Sequence, residues 1–358
     1  MRLPRRNSAL LAPLVVLAVL TGACSSDRGE DATPTTTAPD TEETTTTAVP
    51  SADAPPRPSP GCDAPATDEV TSMRTEMTVG DEQRFYLLTT PPPTDEPIPL
   101  VVDLHGLSEG ADIHSMMTQY GEFAQQEGFA VVFPHGSGSP VRWDADPSSD
   151  PNADLEFLDA MLEEVGAQRC IDEARVYATG LSYGAIMSTF LACNRADVFA
   201  AIAPIDGITI PEGCDPGRPV PMLSSHGTED PILLFNGGYG DIGDLVQGGA
   251  APTATSAPLG TEADLDGPGY PAAVAEWATL NGCGDFTDTD LTQSVVHRVY
   301  DCPTEAAVEF YIVKGGGHSW PGSEFSNSIV DIVGPTTFDI DATKMGWEFF
   351  QRFSLPAT

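Results

Sequence analysis

Residues 174–192 read Ala174-Arg175-Val176-Tyr177-Ala178-Thr179-Gly180-Leu181-Ser182-Tyr183-Gly184-Ala185-Ile186-Met187-Ser188-Thr189-Phe190-Leu191-Ala192. The first six are rich in β-branched, aromatic and small apolar side chains and predict a strand. Residues 185–192 predict a helix. Between them lies Gly180-Leu181-Ser182-Tyr183-Gly184. A strand, a tight Gly-x-Ser-x-Gly turn and a helix together present a serine hydroxyl at the mouth of a cleft. The glycines let the backbone turn sharply. The helix N-terminus brings free N–H groups and its dipole to the same place, which favours developing negative charge. The pentapeptide is short enough to arise by chance, so its neighbours must carry the reading.

Outward from this stretch, apolar strands and amphipathic helices alternate. Strands are predicted over 70–79, 83–89, 99–104, 129–133, 199–205, 220–225 and 308–313. Helices are predicted over 113–127, 154–167, 272–280 and 341–353. This order predicts an α/β fold with a mostly parallel central sheet and helices on both faces. Functional groups in such sheets gather at the carboxyl ends of the strands. The Gly-, Ala-, Pro- and Asp-rich segment 236–268 reads as a lid or rim over the cleft, or equally as a surface insertion.

A serine nucleophile needs a base, and the base needs an orienting carboxylate. The chain has six histidines, and only His226, His297 and His318 follow Ser182. His226 ends a strand and buttresses the next loop. His297 lies between two closely spaced cysteines. His318 follows the last predicted strand and Gly315-Gly316-Gly317, where a catalytic base belongs. Asp230 in His226-Gly227-Thr228-Glu229-Asp230-Pro231 is the expected acid, with Glu229 and Asp206 as alternatives. The order Ser, acid, His is that of the α/β-hydrolases. Acyl transfer also needs donors for the oxyanion. These are expected to be the backbone N–H groups of Tyr183, directly after the nucleophile, and of Leu107 in His105-Gly106-Leu107. His105 supports that loop. Trp320, two residues from His318, and Trp143 are expected beside the cleft as substrate-binding residues.

The formal net charge of −37 argues against nucleic acid or polyanionic substrates. Arg2, Arg5 and Arg6, an apolar run over 9–20 and Thr21-Gly22-Ala23-Cys24 resemble an export signal ending in a lipobox, with Cys24 the lipidated residue and the chain anchored on the outer face of the cell membrane; the alternative is an ordinary signal peptide cut near Ala23 and a secreted chain. Membrane contact is expected through Cys24 alone. Residues 25–65, rich in Thr, Pro, Ala and acids, read as a disordered tether, and 66–358 as one enzyme domain. Without Cys24, six cysteines remain, and an even number in an exported chain implies disulfides. Cys283 and Cys302 flank a short segment and should pair. Cys193 and Cys214 are placed to meet, which leaves Cys62 with Cys170. The absence of any Cys-x-x-Cys pair argues against a zinc cluster.

Six blocks then look familiar together and in order. They are residues 102–106, residues 175–184, Leu191-Ala192-Cys193, His226-Gly227-Thr228-Glu229-Asp230-Pro231, Trp277-Ala278-Thr279-Leu280-Asn281-Gly282-Cys283 and Gly315-Gly316-Gly317-His318-Ser319-Trp320-Pro321-Gly322. Their contents and spacing resemble the polyhydroxybutyrate depolymerase / feruloyl esterase family, related to carbohydrate esterase family 1, over roughly residues 68–355. The resemblance implies an α/β-hydrolase fold and a serine esterase acting on carboxylic esters (hydroxyalkanoate oligomers, feruloyl or acetyl esters), with no metal or organic cofactor. Ser182, Asp230 and His318 stand at the family's nucleophile, acid and base. Tyr183 departs from the small or amide residue the family often carries there and alters the cleft wall. A serine peptidase on the same fold, or a non-catalytic lipoprotein that binds a ligand in the cleft, are the competing readings.

Overall fold

A computed structural model describes residues 54–63, 72–94, 96–240 and 262–356. All of them lie in one compact unit, Ala48–Thr358. The expected export signal, Cys24 and residues 25–53 of the expected tether lie outside the described residues, as do 241–261 of the segment read as a lid, a rim or a surface insertion.

Among the described residues ten strands form one sheet, in the order β1-β2-β4-β3-β5-β6-β7-β10-β9-β8. They are β1 (Ser72–Val79), β2 (Glu82–Thr89), β3 (Ile98–Leu104), β4 (Ala130–Pro134), β5 (Ile171–Leu181), β6 (Ala201–Ile205), β7 (Met222–Gly227), β8 (Phe286–Asp290), β9 (Val295–Tyr300) and β10 (Val308–Val313). The run from β4 through β3, β5, β6 and β7 to β10 is parallel. The flanking pairs at both ends are antiparallel. Parallel strands covered on both faces need continuous apolar sequence, and every residue of β4 and of β6 is buried.

Among the described residues the α-helices are α1 (Gly110–Thr118), α2 (Tyr120–Glu127), α3 (Ala153–Gln168), α4 (Tyr183–Asn194), α5 (Tyr270–Leu280), α6 (Glu324–Ser328), α7 (Val330–Val333) and α8 (Ala342–Phe350). One apolar layer holds Phe157 and Met161 of α3, Met187 and Phe190 of α4, and Val274 and Trp277 of α5. A second layer holds Met117 of α1, Tyr120 and Ala124 of α2, and Trp347 and Phe350 of α8. The sheet is therefore covered on both faces, as the alternating pattern predicts.

The differences from the sequence reading have local causes. The helix predicted over 113–127 is two helices, because Gln119 takes a left-handed conformation (φ 54°). The pair β8–β9 falls where a cysteine-flanked loop is expected, so His297 sits on a strand. Every residue of β8 is exposed, so it shows no buried alternation to read. Residues 54–63, assigned to the tether, instead pack on the domain. Pro58 bridges to Asp172, Ser59 Oγ donates to the Arg169 carbonyl at 2.8 Å, and Cys62 is bonded to Cys170. Cys193–Cys214 and Cys283–Cys302 are the other two disulfides.

Candidate active site

Ser182 caps α4 at the carboxyl end of β5, with φ 58° and ψ −116°. A non-glycine residue reaches this region only when its surroundings force it. The forcing comes from close packing of β3 against the turn. A Cβ on Gly180 would lie 2.4 Å from the Leu104 carbonyl oxygen, and one on Gly184 would lie 1.8 Å from the same atom. Both positions therefore exclude any side chain. Ser182 N–H donates to the Ile205 carbonyl at 2.9 Å, which fixes the turn to β6.

Asp230 follows β7, and its carboxylate is buried. Its Oδ1 accepts the N–H groups of Ile232 (2.8 Å) and Leu233 (2.9 Å). Its Oδ2 accepts Nδ1–H of His318 at 2.7 Å. His318 follows β10, and its own N–H donates to the Val333 carbonyl at 2.6 Å. Glu229 points to solvent, so burial separates it from Asp230. The bond fixes the His318 tautomer and leaves Nε2 as the nitrogen able to take a proton. Burial opposes charge on His318, but the Asp230 carboxylate outweighs it and raises the pKa to about 9. Burial likewise opposes charge on Asp230, and His318 and His226 outweigh it, holding this carboxyl well below the usual range.

Asp206, at the end of β6, does not bond the His318 ring. Its Oδ1 accepts Gly227 N–H at 3.1 Å and its Oδ2 accepts Ser319 N–H at 2.8 Å. Burial raises its pKa to about 6. His226 buttresses the acid loop, as expected: Nε2–H donates to the Leu233 carbonyl at 2.9 Å, and the ring stacks on Tyr270. Ligand atoms of Asp206, His226 and Asp230 lie within 4.8 Å of one another, close enough for a cation. Every carboxylate oxygen of the set already accepts a hydrogen bond, so the group reads as a hydrogen-bond cluster rather than a coordination sphere.

Ser182 and His318 line one cavity of about 240 Å³. Its wall is largely apolar, with Ile186, Ile232, Ile332 and Val333 beside Tyr183 and Tyr239. Leu107 lines it too, on the loop after β3. His105 supports that loop. Burial lowers its pKa to about 4. The neutral ring donates from Nδ1 to the Gly106 carbonyl at 2.7 Å and accepts Gly136 N–H on Nε2 at 2.9 Å.

Neither tryptophan lines the Ser182 cavity itself. Trp320 is buried, packs edge-on against His114 and Tyr120, and gives its indole N–H to Thr343 Oγ1 at 3.0 Å. It does not line the Ser182 cavity, because a buried indole follows its polar partner. Trp143 donates to the His105 carbonyl at 2.8 Å. It lines an adjoining polar cavity that shares Tyr183, Ile186 and Tyr239 with the first. The sequence reading missed Ile329, Ile332 and Val333 of the cavity roof. Helices of four and five residues are too short for periodicity to show.

A parallel sheet with a serine on the turn after β5, an acid after β7 and a histidine after β10 defines an α/β-hydrolase. A structural neighbour, an acetyl xylan esterase from Aspergillus awamori, matches with a TM-score of 0.50 at 14% identity, over 73% of this chain and 98% of that one. The family model described as esterase PHB depolymerase matches residues 84–238. A probable feruloyl esterase C of Aspergillus clavatus is 32% identical over 194 residues, half of this chain and 69% of that protein. Feruloyl esterase B of Piromyces equi is 27% identical over 273 residues, 73% of this chain but only 43% of that protein. The putative esterase NocK of Nocardia uniformis is 29% identical over 273 residues, with 77% of that protein covered. The chain belongs to the PHB depolymerase / feruloyl esterase family of carboxylic-ester hydrolases.

Proposed function

We propose that the domain is a serine esterase in which Ser182, His318 and Asp230 act as one catalytic unit. The observation that carries this reading is the buried 2.7 Å bond from His318 to Asp230, made by a histidine that shares a cavity with Ser182. Ser182 Oγ attacks the ester carbonyl carbon while His318 Nε2 takes its proton. The carbonyl oxygen becomes an oxyanion, received by the N–H groups of Tyr183 and Leu107. Collapse breaks the bond to the alcohol oxygen, which leaves with the proton from His318. Water, deprotonated by His318, then attacks the acyl-enzyme, and Ser182 regains its proton as the acid departs. Asp230 stays ionised and stabilises the imidazolium.

The apolar wall suits the acyl part of an ester, and the polar cavity beside Trp143 suits its alcohol. Hydroxyalkanoate oligomers, feruloyl esters and acetyl esters all fit the family. Purified protein assayed on a matched panel of these esters will rank them, and Ser182→Ala should abolish every activity. Hydrolysis that survives the substitution would remove Ser182 from the mechanism. Three disulfides fit an oxidising compartment. We further propose that Cys24 carries a lipid and holds the domain at the outer face of a membrane. Metabolic labelling with a radioactive fatty acid, lost in Cys24→Ala, tests this.

A further inference from the structure

Behind the proposed oxyanion loop lies a second acid–histidine–acid chain that the catalytic unit does not use. Asp103 on β3 and His114 on α1 are fully buried. Asp103 Oδ2 accepts the Thr118 hydroxyl at 2.7 Å, and Oδ1 accepts His114 Nε2–H at 2.8 Å. His114 Nδ1–H donates to Glu109 Oε2 at 3.1 Å. That same oxygen accepts Gly106 N–H at 2.8 Å, and Glu109 N–H returns a 3.3 Å bond to the Gly106 carbonyl. With a carboxylate on each ring nitrogen, His114 donates twice and is an imidazolium. Burial opposes that charge, but Asp103 and Glu109 outweigh it and raise the pKa to about 10.

A buried ion pair adds little net stability over an apolar filling, so what it contributes here is geometry. The loop it reaches needs fixing. Ser108 and Gly110 are both left-handed, with φ 68° and 73°. No regular element spans residues 105–109. Glu109 is also the only acid lining the Ser182 cavity among the described residues.

We propose that Glu109 is a positioning residue, clamping the Gly106 peptide so that the Leu107 N–H beside it is held for the oxyanion, with His114 and Asp103 holding the clamp. The inference rests on the esterase reading given above. It makes Glu109 a determinant of turnover although it transfers no proton and forms no bond to substrate.

Kinetics of wild type, Glu109→Gln, Glu109→Asp and Glu109→Ala on one p-nitrophenyl ester test it. The amide oxygen of Gln still accepts Gly106 N–H, so that variant should keep kcat within a few-fold. Asp keeps the charge but withdraws the acceptor, and Ala removes it. Both should lose kcat by about 10²-fold, the scale for one oxyanion donor, with KM little changed. Affinity for a trifluoromethyl ketone, which mimics the tetrahedral adduct, should fall in parallel. A wild-type kcat in Glu109→Asp, or a Gln variant as impaired as Asp, overturns the proposal even if Glu109→Ala does not fold. Ester hydrolysis by wild type that all three variants match sinks this inference alone. A wild type that neither hydrolyses esters nor takes a fluorophosphonate label at Ser182 sinks the esterase reading, and this inference with it.

Discussion

The carboxylate of Asp206 accepts the backbone N–H of Ser319, the residue after His318, at 2.8 Å. Its other oxygen accepts the N–H of Gly227, three residues before Asp230. One buried side chain at the end of β6 thus ties the loop that bears the proposed base to the loop that bears the proposed acid. Asp206→Ala would strand two buried donors at about 1–3 kcal/mol each. We expect a clear fall in Tm and in kcat for this variant, and a smaller fall for Asp206→Asn, which keeps one acceptor oxygen. Thermal denaturation and ester kinetics on the pair check it, and an unchanged Tm in Asp206→Ala would refute the tie.

Asp230 and Glu229 are adjacent in sequence and opposite in setting, one buried and one exposed. Asp230→Asn removes the anion that selects the His318 tautomer, and kcat should drop by about 10⁴-fold, as when the acid of another triad is neutralised. Glu229→Gln should leave kcat within about two-fold, since exposed substitutions away from a site change little. Equal effects of the two changes would contradict the assignment of the acid.

The proposed base works unprotonated, and Asp230 raises the pKa of His318 to about 9. Activity should therefore rise with pH through an apparent pKa above the ordinary histidine value of about 6.5. Removing the anion lets burial dominate, so in Asp230→Asn the same limb should move to lower pH while the maximum falls. A pH profile of kcat/KM on both proteins decides; a wild-type limb below pH 6 would count against this electrostatic account.

The Cys62–Cys170 bond closes a loop with a sequence separation of 108 residues and pins residues 54–63 to the domain. Opening a loop of this size costs on the order of 4 kcal/mol in the chain-entropy picture. We expect Cys62→Ser together with Cys170→Ser to lower Tm by several degrees while kcat stays near wild type, because neither cysteine lines the Ser182 cavity. Limited proteolysis should then cut near residues 54–63 first.

The parts of the molecule legible in the sequence are those where backbone demand and side-chain chemistry coincide. Gly180 and Gly184 announce a turn because nothing larger fits against Leu104. The parallel strands announce themselves through uninterrupted apolar runs such as Ala201–Ile205. The disulfide pairs follow from spacing and elimination. What stayed hidden depends on tertiary partners. Gln119 breaks a helix with neither glycine nor proline to mark it. Phe286–Asp290 is an edge strand of exposed polar residues. Trp320 lies close to His318 in sequence, yet its indole N–H turns to Thr343 and away from the cavity. The Asp103–His114–Glu109 chain joins residues that are unremarkable singly and acquire meaning only when α1 folds back on β3.

The left-handed backbone of Ser182 has a consequence for how such a protein changes over generations. A residue held in this region costs about 1–3 kcal/mol, which glycine would not incur. Ser182→Gly should therefore be inert yet melt higher than wild type. Selection for heat tolerance alone would discard the serine of the proposed nucleophile, so its persistence in any lineage would be a record of use.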